Sequence, residues 1–137
     1  MKPLEEFPKE KRSVISYVLT DIDDTITHEG RIPAAAFQAM ETLENSGIRV
    51  IPITGRPGGW CDHIARMWPV HGVVGENGAF YFVYDAVNRR MIRRYFKTDK
   101  ERKADQIKLA ALKQEILAAV PGCVVSADQG YREADLA

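Results

Sequence analysis

The sequence predicts an α/β fold, a parallel sheet with helices between its strands, followed by a β-hairpin and a long helix. Three observations predict it. Between residues 14 and 75, short β-branched runs alternate with stretches of helical periodicity. Each run ends in a polar turn, which in a parallel sheet puts all such turns on the rim where ligands bind. Beyond residue 78 two aromatic and β-branched runs flank a four-residue polar connection, the pattern of an antiparallel hairpin.

Val14 to Leu19 reads as a buried strand that enters the turn Thr20-Asp21-Ile22-Asp23-Asp24-Thr25. An extended Asp-x-Asp puts both side chains on one side of the backbone, so Asp21 and Asp23 can share a cation and still do different jobs. By itself the hexapeptide reads equally well as an acidic turn capping the next element. Ala34 to Ser46 follows as a helix, with Phe37, Met40 and Leu43 at helical spacing, Pro33 in its first turn and Gly47 as its stop. Ile48 to Ile53 is a second strand, ending in Thr54-Gly55-Arg56-Pro57-Gly58-Gly59. The βαβ unit so formed is right-handed and Rossmann-like. Trp60 to Trp68 is a second helix with Trp60, Ile64, Met67 and Trp68 expected on its packed face, and Pro69 closes it. Gly72 to Gly75 is a third strand, delivering Glu76-Asn77-Gly78 to the same rim.

Ala79 to Tyr84 and Met91 to Phe96 are the hairpin strands. Thr98-x-x-Glu101 is a capping box, and Leu109, Leu112, Ile116 and Val120 mark the apolar face of a helix stopped by Pro121-Gly122. Cys123 to Ser126 is expected to add a further strand. The chain divides into an N-terminal arm (1–12), an α/β core (13–84), and a hairpin with a partial second unit (85–137).

With 137 residues, 45% hydrophobic and 28% charged, the chain has the length and mixture of one globular domain. Nineteen basic residues balance nineteen acidic ones, so no global field recruits nucleic acid or an anionic membrane. From Asp85 to Lys108, nine basic residues face four acidic ones; that run reads as a solvated surface or one attracting phosphorylated substrates rather than a nucleic-acid face. Cys61 and Cys123 show no CxxC spacing and fit a reduced, cytoplasmic protein, with Cys61 a packed residue rather than a nucleophile. His28, His63 and His71 lack metal-ligand spacing. The N-terminal residues alternate charge and proline, unlike a signal peptide or membrane anchor.

Together the three turns supply what phosphoryl transfer requires: a carboxylate nucleophile, a second carboxylate to move protons, oxygen ligands for a hard cation, and donors for phosphate oxygens. Asp21-x-Asp23-x-Thr25, Thr54-Gly55-Arg56 and Gly75-Glu76-Asn77-Gly78-Ala79, each after an apolar strand, closely resemble the motifs of the haloacid dehalogenase (HAD) superfamily of phosphatases. The last turn and its hairpin resemble the branch whose α+β cap follows the third core strand, which includes sucrose-phosphate, mannosyl-3-phosphoglycerate and phosphoglycolate phosphatases. The resemblance implies that Asp21 attacks phosphorus to form an aspartyl-phosphate, and that Asp23 protonates the leaving oxygen and then activates water. It implies Mg2+ held by the Asp21 carboxylate and the Asp23 backbone carbonyl. Thr54 and the Gly55 amide would bind the phosphoryl group, with Arg56 and Asn77 near the substrate, Asp24 behind the acidic pair, and Thr25 fixing the turn.

The chain departs from the family pattern in two places. No Lys follows a returning core strand, and none of Asp99, Asp105, Asp128 or Asp135 lies in the acidic loop that completes the family's metal site. Tyr131 to Ala137 resembles the first part of the cap, so the chain is expected to stop within it. The family's sheet order then leaves Val14 to Leu19 as an uncovered edge inviting self-association. The expected function is a magnesium-dependent phosphomonoester hydrolase acting on a small phosphorylated metabolite such as a sugar phosphate, weakly active as this chain alone. The alternative is a non-catalytic phosphate- or metal-binding module acting through a partner.

Overall fold

A computed structural model describes residues 3–137. Five strands form one sheet in the order β1 (Tyr17–Asp21), β2 (Arg49–Ile53), β3 (Val73–Gly75), β4 (Phe80–Asp85), β5 (Arg90–Tyr95). The first three are parallel and the last two antiparallel, so the hairpin extends the core sheet. The helices are α1 (Lys9–Arg12), α2 (Ala34–Asn45), α3 (Gly58–Met67) and α4 (Asp99–Ala119). Of the arm at 1–12, Met1 and Lys2 lie outside the described residues, and the rest contains a 3-10 turn at Leu4–Glu6 and the short exposed helix α1. None of the described helices is long and apolar enough to cross a membrane.

Pairing register aligns the strand ends. Asp21 pairs with Ile53, and Ile53 with Val74, so the residues that follow each strand emerge side by side. The rim expected from the sequence is therefore built by the backbone ladder itself.

The core forms where α3 lies on the sheet. Ile22, Cys61, Ile64, Ala65, Val73, Phe80 and Phe82 are buried together, with Phe80 stacked on Phe82 at 4.6 Å and edge-on to Tyr95 at 5.9 Å. Ile22 is the middle residue of Asp-x-Asp, so strand alternation sinks the isoleucine and turns both carboxylates outward. Its carbonyl accepts N–H bonds from Ile26 and Thr27 and the Thr27 hydroxyl, which closes the acidic turn.

Several expectations are corrected. The first strand starts at Tyr17, not Val14, and is no buried strand: Tyr17 and Leu19 are 52% and 63% exposed on the edge of the sheet. Pro33 stands at the N-cap of α2, just outside its first turn. The buried face of α3 is Gly58, Cys61, Ile64 and Ala65, with Cys61, Ile64 and Ala65 in the core cluster on the sheet, while Trp60 and Met67 face solvent. Gly75 lets the helix lie close, since a Cβ there would lie 2.6 Å from the Cys61 sulfur. Cys123 to Ser126 pairs with no strand. The capping box of α4 forms as expected, yet α4 buries no residue, and Leu112 is 45% exposed. Much of the basic run is neutralised locally: Lys97 pairs with Asp105 at 2.6 Å, Arg102 with Asp99 at 2.8 Å, and Arg93 with Asp62 at 3.0 Å.

Candidate active site

Asp21 ends β1, where its carboxylate accepts a hydrogen bond from the Thr25 hydroxyl at 3.3 Å. Thr25 thus orients the first carboxylate from within the same turn. Asp24 has a left-handed backbone (φ 56°), and its N–H donates to the Thr27 hydroxyl at 3.1 Å, holding the bend that carries Asp23 outward. Asp23 is gripped by Arg56, whose Nε donates to Oδ2 at 3.1 Å while Nη2 reaches Oδ1. That two-point contact joins the first turn to the second. It also favours the charged form of the Arg56 guanidinium, which stacks on Trp60 with 4.4 Å from Cζ to the ring centroid.

Thr54 is buried, and its side-chain oxygen accepts the Arg56 N–H at 3.0 Å while its carbonyl accepts the Asn77 N–H at 3.1 Å. The first closes the second turn on itself and the second ties it to the third turn. Gly55 is exposed, and a Cβ on it would lie 3.1 Å from Asn77 Oδ1, so the Asn77 amide rests over bare backbone. An open groove results, lined by Leu19, Thr20, Asp21, Ile53, Thr54, Gly55 and Asn77. Asp21, Thr54, Gly55 and Asn77 therefore share one groove, and Asp23 and Arg56 stand together as an ion pair. A partly open pocket of about 110 Å³ lies elsewhere, beside α4, lined in part by Lys97, Arg102, Asp105 and Glu133.

The oxygen donors of the acidic turn have the hard chemistry that suits magnesium, an ion that binds through one or two carboxylates and keeps several waters. No third His, Cys, Asp or Glu joins them among the described residues. Cys61 is excluded as a nucleophile: it is fully buried, and burial, aided by Glu76 and Glu133, pushes its thiol up to about 12.

Sequence reasoning missed Glu76. It is 3% exposed with a left-handed backbone (φ 44°), and its carboxylate points inward. Oε1 accepts the N–H groups of Gly58 and Glu133, both at 2.9 Å, and Oε2 accepts those of Glu133, Ala134 and Asp135. The carboxylate thereby ties the first residue of α3 to the C-terminal segment. Arg132 adds a second tie, donating to the Gly55 carbonyl at 3.1 Å and pairing with Asp128 and Asp135. One signal was available: an acidic residue inside a glycine-flanked turn, with no basic residue beside it in sequence.

Comparison with known proteins shows the family. The family model of haloacid dehalogenase-like hydrolases matches residues 18–135. A phosphoglycolate phosphatase of Methanoculleus marisnigri is 34% identical over 70 residues, covering 50% of this chain and 30% of that protein. A solved HAD-superfamily phosphatase from Bacteroides thetaiotaomicron superposes with a TM-score of 0.53 at 22% identity, over 79% of this chain and 39% of that one. A haloacid dehalogenase-like hydrolase from B. subtilis gives 0.53 at 23% identity, over 74% and 34%. The chain thus spans about a third of the length of these relatives. It belongs to the haloacid dehalogenase-like hydrolases.

Proposed function

We propose that this chain carries the nucleophile and phosphate-binding part of a phosphomonoester hydrolase that acts on a small phosphorylated metabolite. The observation that carries the reading is the groove in which Asp21, Thr54, Gly55 and Asn77 meet. Asp21 attacks phosphorus, forming an aspartyl-phosphate as the P–O bond to the alcohol breaks; Asp23 gives its proton to the departing oxygen, then takes one from the water that releases phosphate. Asp23 is held by Arg56. A substrate phosphate competes for that guanidinium, and its arrival frees Asp23 for proton transfer. The Thr54 hydroxyl, the Gly55 amide and the Asn77 side chain receive the phosphoryl oxygens. The Asp21 carboxylate and Asp23 carbonyl would hold magnesium, which supplies neutralisation of the negative charge on nucleophile and phosphate.

The groove's lining includes no lysine and only one carboxylate, so we assign the 137-residue chain weak turnover alone and the completing groups to the length its relatives possess beyond it. In this reading residues 13–84 form the core, residues 85–137 begin a second unit, the exposed edge of β1 drives self-association, and the protein works in the cytoplasm. Asp21→Asn tests the assignment, since it keeps shape and removes the nucleophilic charge. In a protein of its relatives' length that carries this chain, called the parent, it should lower turnover of phosphomonoesters on the order of 10³-fold or more with the thermal midpoint unchanged, and excess chelator should also abolish turnover. An Asp21→Asn parent that keeps a tenth or so of its activity sinks the nucleophile assignment.

The competing reading, a non-catalytic phosphate-binding module, rests on the same sparse lining. It predicts phosphate binding to the parent with no turnover at all.

A further inference from the structure

The second turn is met from the C-terminal segment by one side chain, Arg132, which lies 77 residues from Gly55 in sequence and is 11% exposed. Two carboxylates hold its guanidinium: Nε and Nη2 donate to Asp128 at 3.3 and 3.4 Å, and Nη1 donates to Asp135 at 2.9 Å. Nη1 carries a second hydrogen, and that one goes to the Gly55 carbonyl at 3.1 Å. Charge pairing accounts for the first three bonds and not for the fourth. The carbonyl it reaches belongs to the Gly55–Arg56 peptide, whose other end, the Arg56 N–H, donates to the Thr54 side-chain oxygen at 3.0 Å. A peptide is planar, so a hold on its C=O end also sets the direction of its N–H end. Because the Thr54 oxygen receives that N–H, its own proton is left to donate, and it donates to no other group among the described residues. Thr54 and Gly55 both line the groove with Asp21. Glycine restricts its own backbone least, so the shape of this turn has to be imposed by its neighbours.

We propose that Arg132 is a positioning residue for phosphate binding: by holding the Gly55 carbonyl it fixes the peptide that occupies the Thr54 oxygen, and so keeps the Thr54 hydroxyl proton and the Gly55 N–H aimed into the groove. This rests on the reading of the Asp21 groove as the phosphate site. Arg132 acts through geometry and not as an attracting charge, since its one positive charge is set against the two negative charges of Asp128 and Asp135. A turn ordered before the anion arrives binds it more tightly than one that must be ordered on binding.

The experiment is an NMR titration of the 137-residue chain, in magnesium, with inorganic phosphate, followed through the Gly55 N–H, the Gly55 carbonyl carbon and the Arg132 Nε–H. Arg132→Met removes every donor from the side chain. Without phosphate it should move the Gly55 carbonyl resonance, the signature of the lost bond, and it should weaken phosphate binding at least about fivefold. Asp135→Asn takes one charge from beside Arg132 but keeps the Asp135 N–H on Glu76 and leaves Arg132 its bond to Gly55, so phosphate affinity should stay within about twofold of wild type. If the C-terminal segment serves only the fold, both variants lose affinity alike or neither does, and either result overturns the positioning role. A wild-type measurement covers an Arg132→Met chain that does not fold: the Arg132 Nε–H should follow the same phosphate saturation curve as the Gly55 N–H, and a resonance that stays still at saturation overturns the role as well. Failure of inorganic phosphate to bind the wild type overturns the groove reading, and the positioning role with it.

Discussion

Replacing Glu76 by Gln tests whether a buried carboxylate fastens the C-terminal segment to the core. Four backbone N–H groups converge on its two oxygens, from Gly58, Glu133, Ala134 and Asp135. A glutamine has one acceptor oxygen. Set in place of Oε2, that oxygen keeps the three C-terminal donors but turns an NH2 group on the buried Gly58 N–H; the opposite flip deprives Ala134 and Asp135. The milder choice leaves one buried donor unpaired, about 1–3 kcal/mol, and turns three charge-assisted bonds into neutral ones of roughly half the strength. Against this, an uncharged amide is cheaper to desolvate than a carboxylate. The balance is a loss of about 2–4 kcal/mol, a large share of the ~5–15 kcal/mol that holds a domain together. At roughly 3–4 °C per kcal/mol for this length, the midpoint by circular dichroism should fall by about 6–15 °C. Amide exchange at residues 133–135 should quicken more than that at β4. A midpoint within about 1 °C of wild type, with exchange at 133–135 unchanged, would refute the latch.

Three further outcomes are expected. Gly75→Ala forces a methyl against Phe80 and the Cys61 sulfur, and should cost about 1–3 kcal/mol in urea unfolding; a neutral result would mean that α3 can lift from the sheet. The Asp62 carboxyl is held below the usual carboxylate range by Arg66 first and Arg93 second, so its contribution to stability is present above ~pH 4 and is lost as acid protonates it; the midpoint deficit of Asp62→Asn at pH 7 should shrink in acid, and one that persists unchanged contradicts the assignment. The 137-residue chain should scatter light as a species larger than its 15.4 kDa, and Leu19→Lys on the β1 edge should restore the monomer mass, whereas a wild-type monomer would show that edge to be harmless.

The rim was legible because its causes are local. An apolar run followed by Asp, Thr-Gly or Glu-Asn-Gly specifies a strand and its turn within ten residues, and the βαβ rule then sets all three turns on one side. The hairpin and the capping box were legible for the same reason. What failed depended on distant partners. The face of α3 was misjudged in part because hydrophobicity favours Trp60 and Met67, whereas close packing with Phe80 and Phe82 takes Cys61 and Ala65 beside the expected Ile64. The run at 123–126 has strand propensity but no neighbour to pair with. The groove was foreseen as a set of residues, yet the grip of Arg56 on Asp23 joins positions 33 apart, and the Glu76 carboxylate meets amides 57 to 59 residues downstream. No periodicity reports such pairs.

Glu76 and Asn77 both adopt the left-handed backbone, at φ 44° and 58°, and this sends adjacent side chains to opposite tasks. Asparagine tolerates that conformation; glutamate does not do so readily, at a cost on the order of 1–3 kcal/mol. The inward carboxylate offsets the strain through the amides it collects, and the same twist lays the outward amide over Gly55. The third turn is therefore held by the residue that also holds the C-terminal segment, and Arg132 of that segment reaches the Gly55 carbonyl from the other side. The Thr54-Gly55-Arg56 turn, Asn77 and the C-terminal segment are thus one mechanical unit, in which displacing residues 132–135 loosens both contacts on Gly55 together.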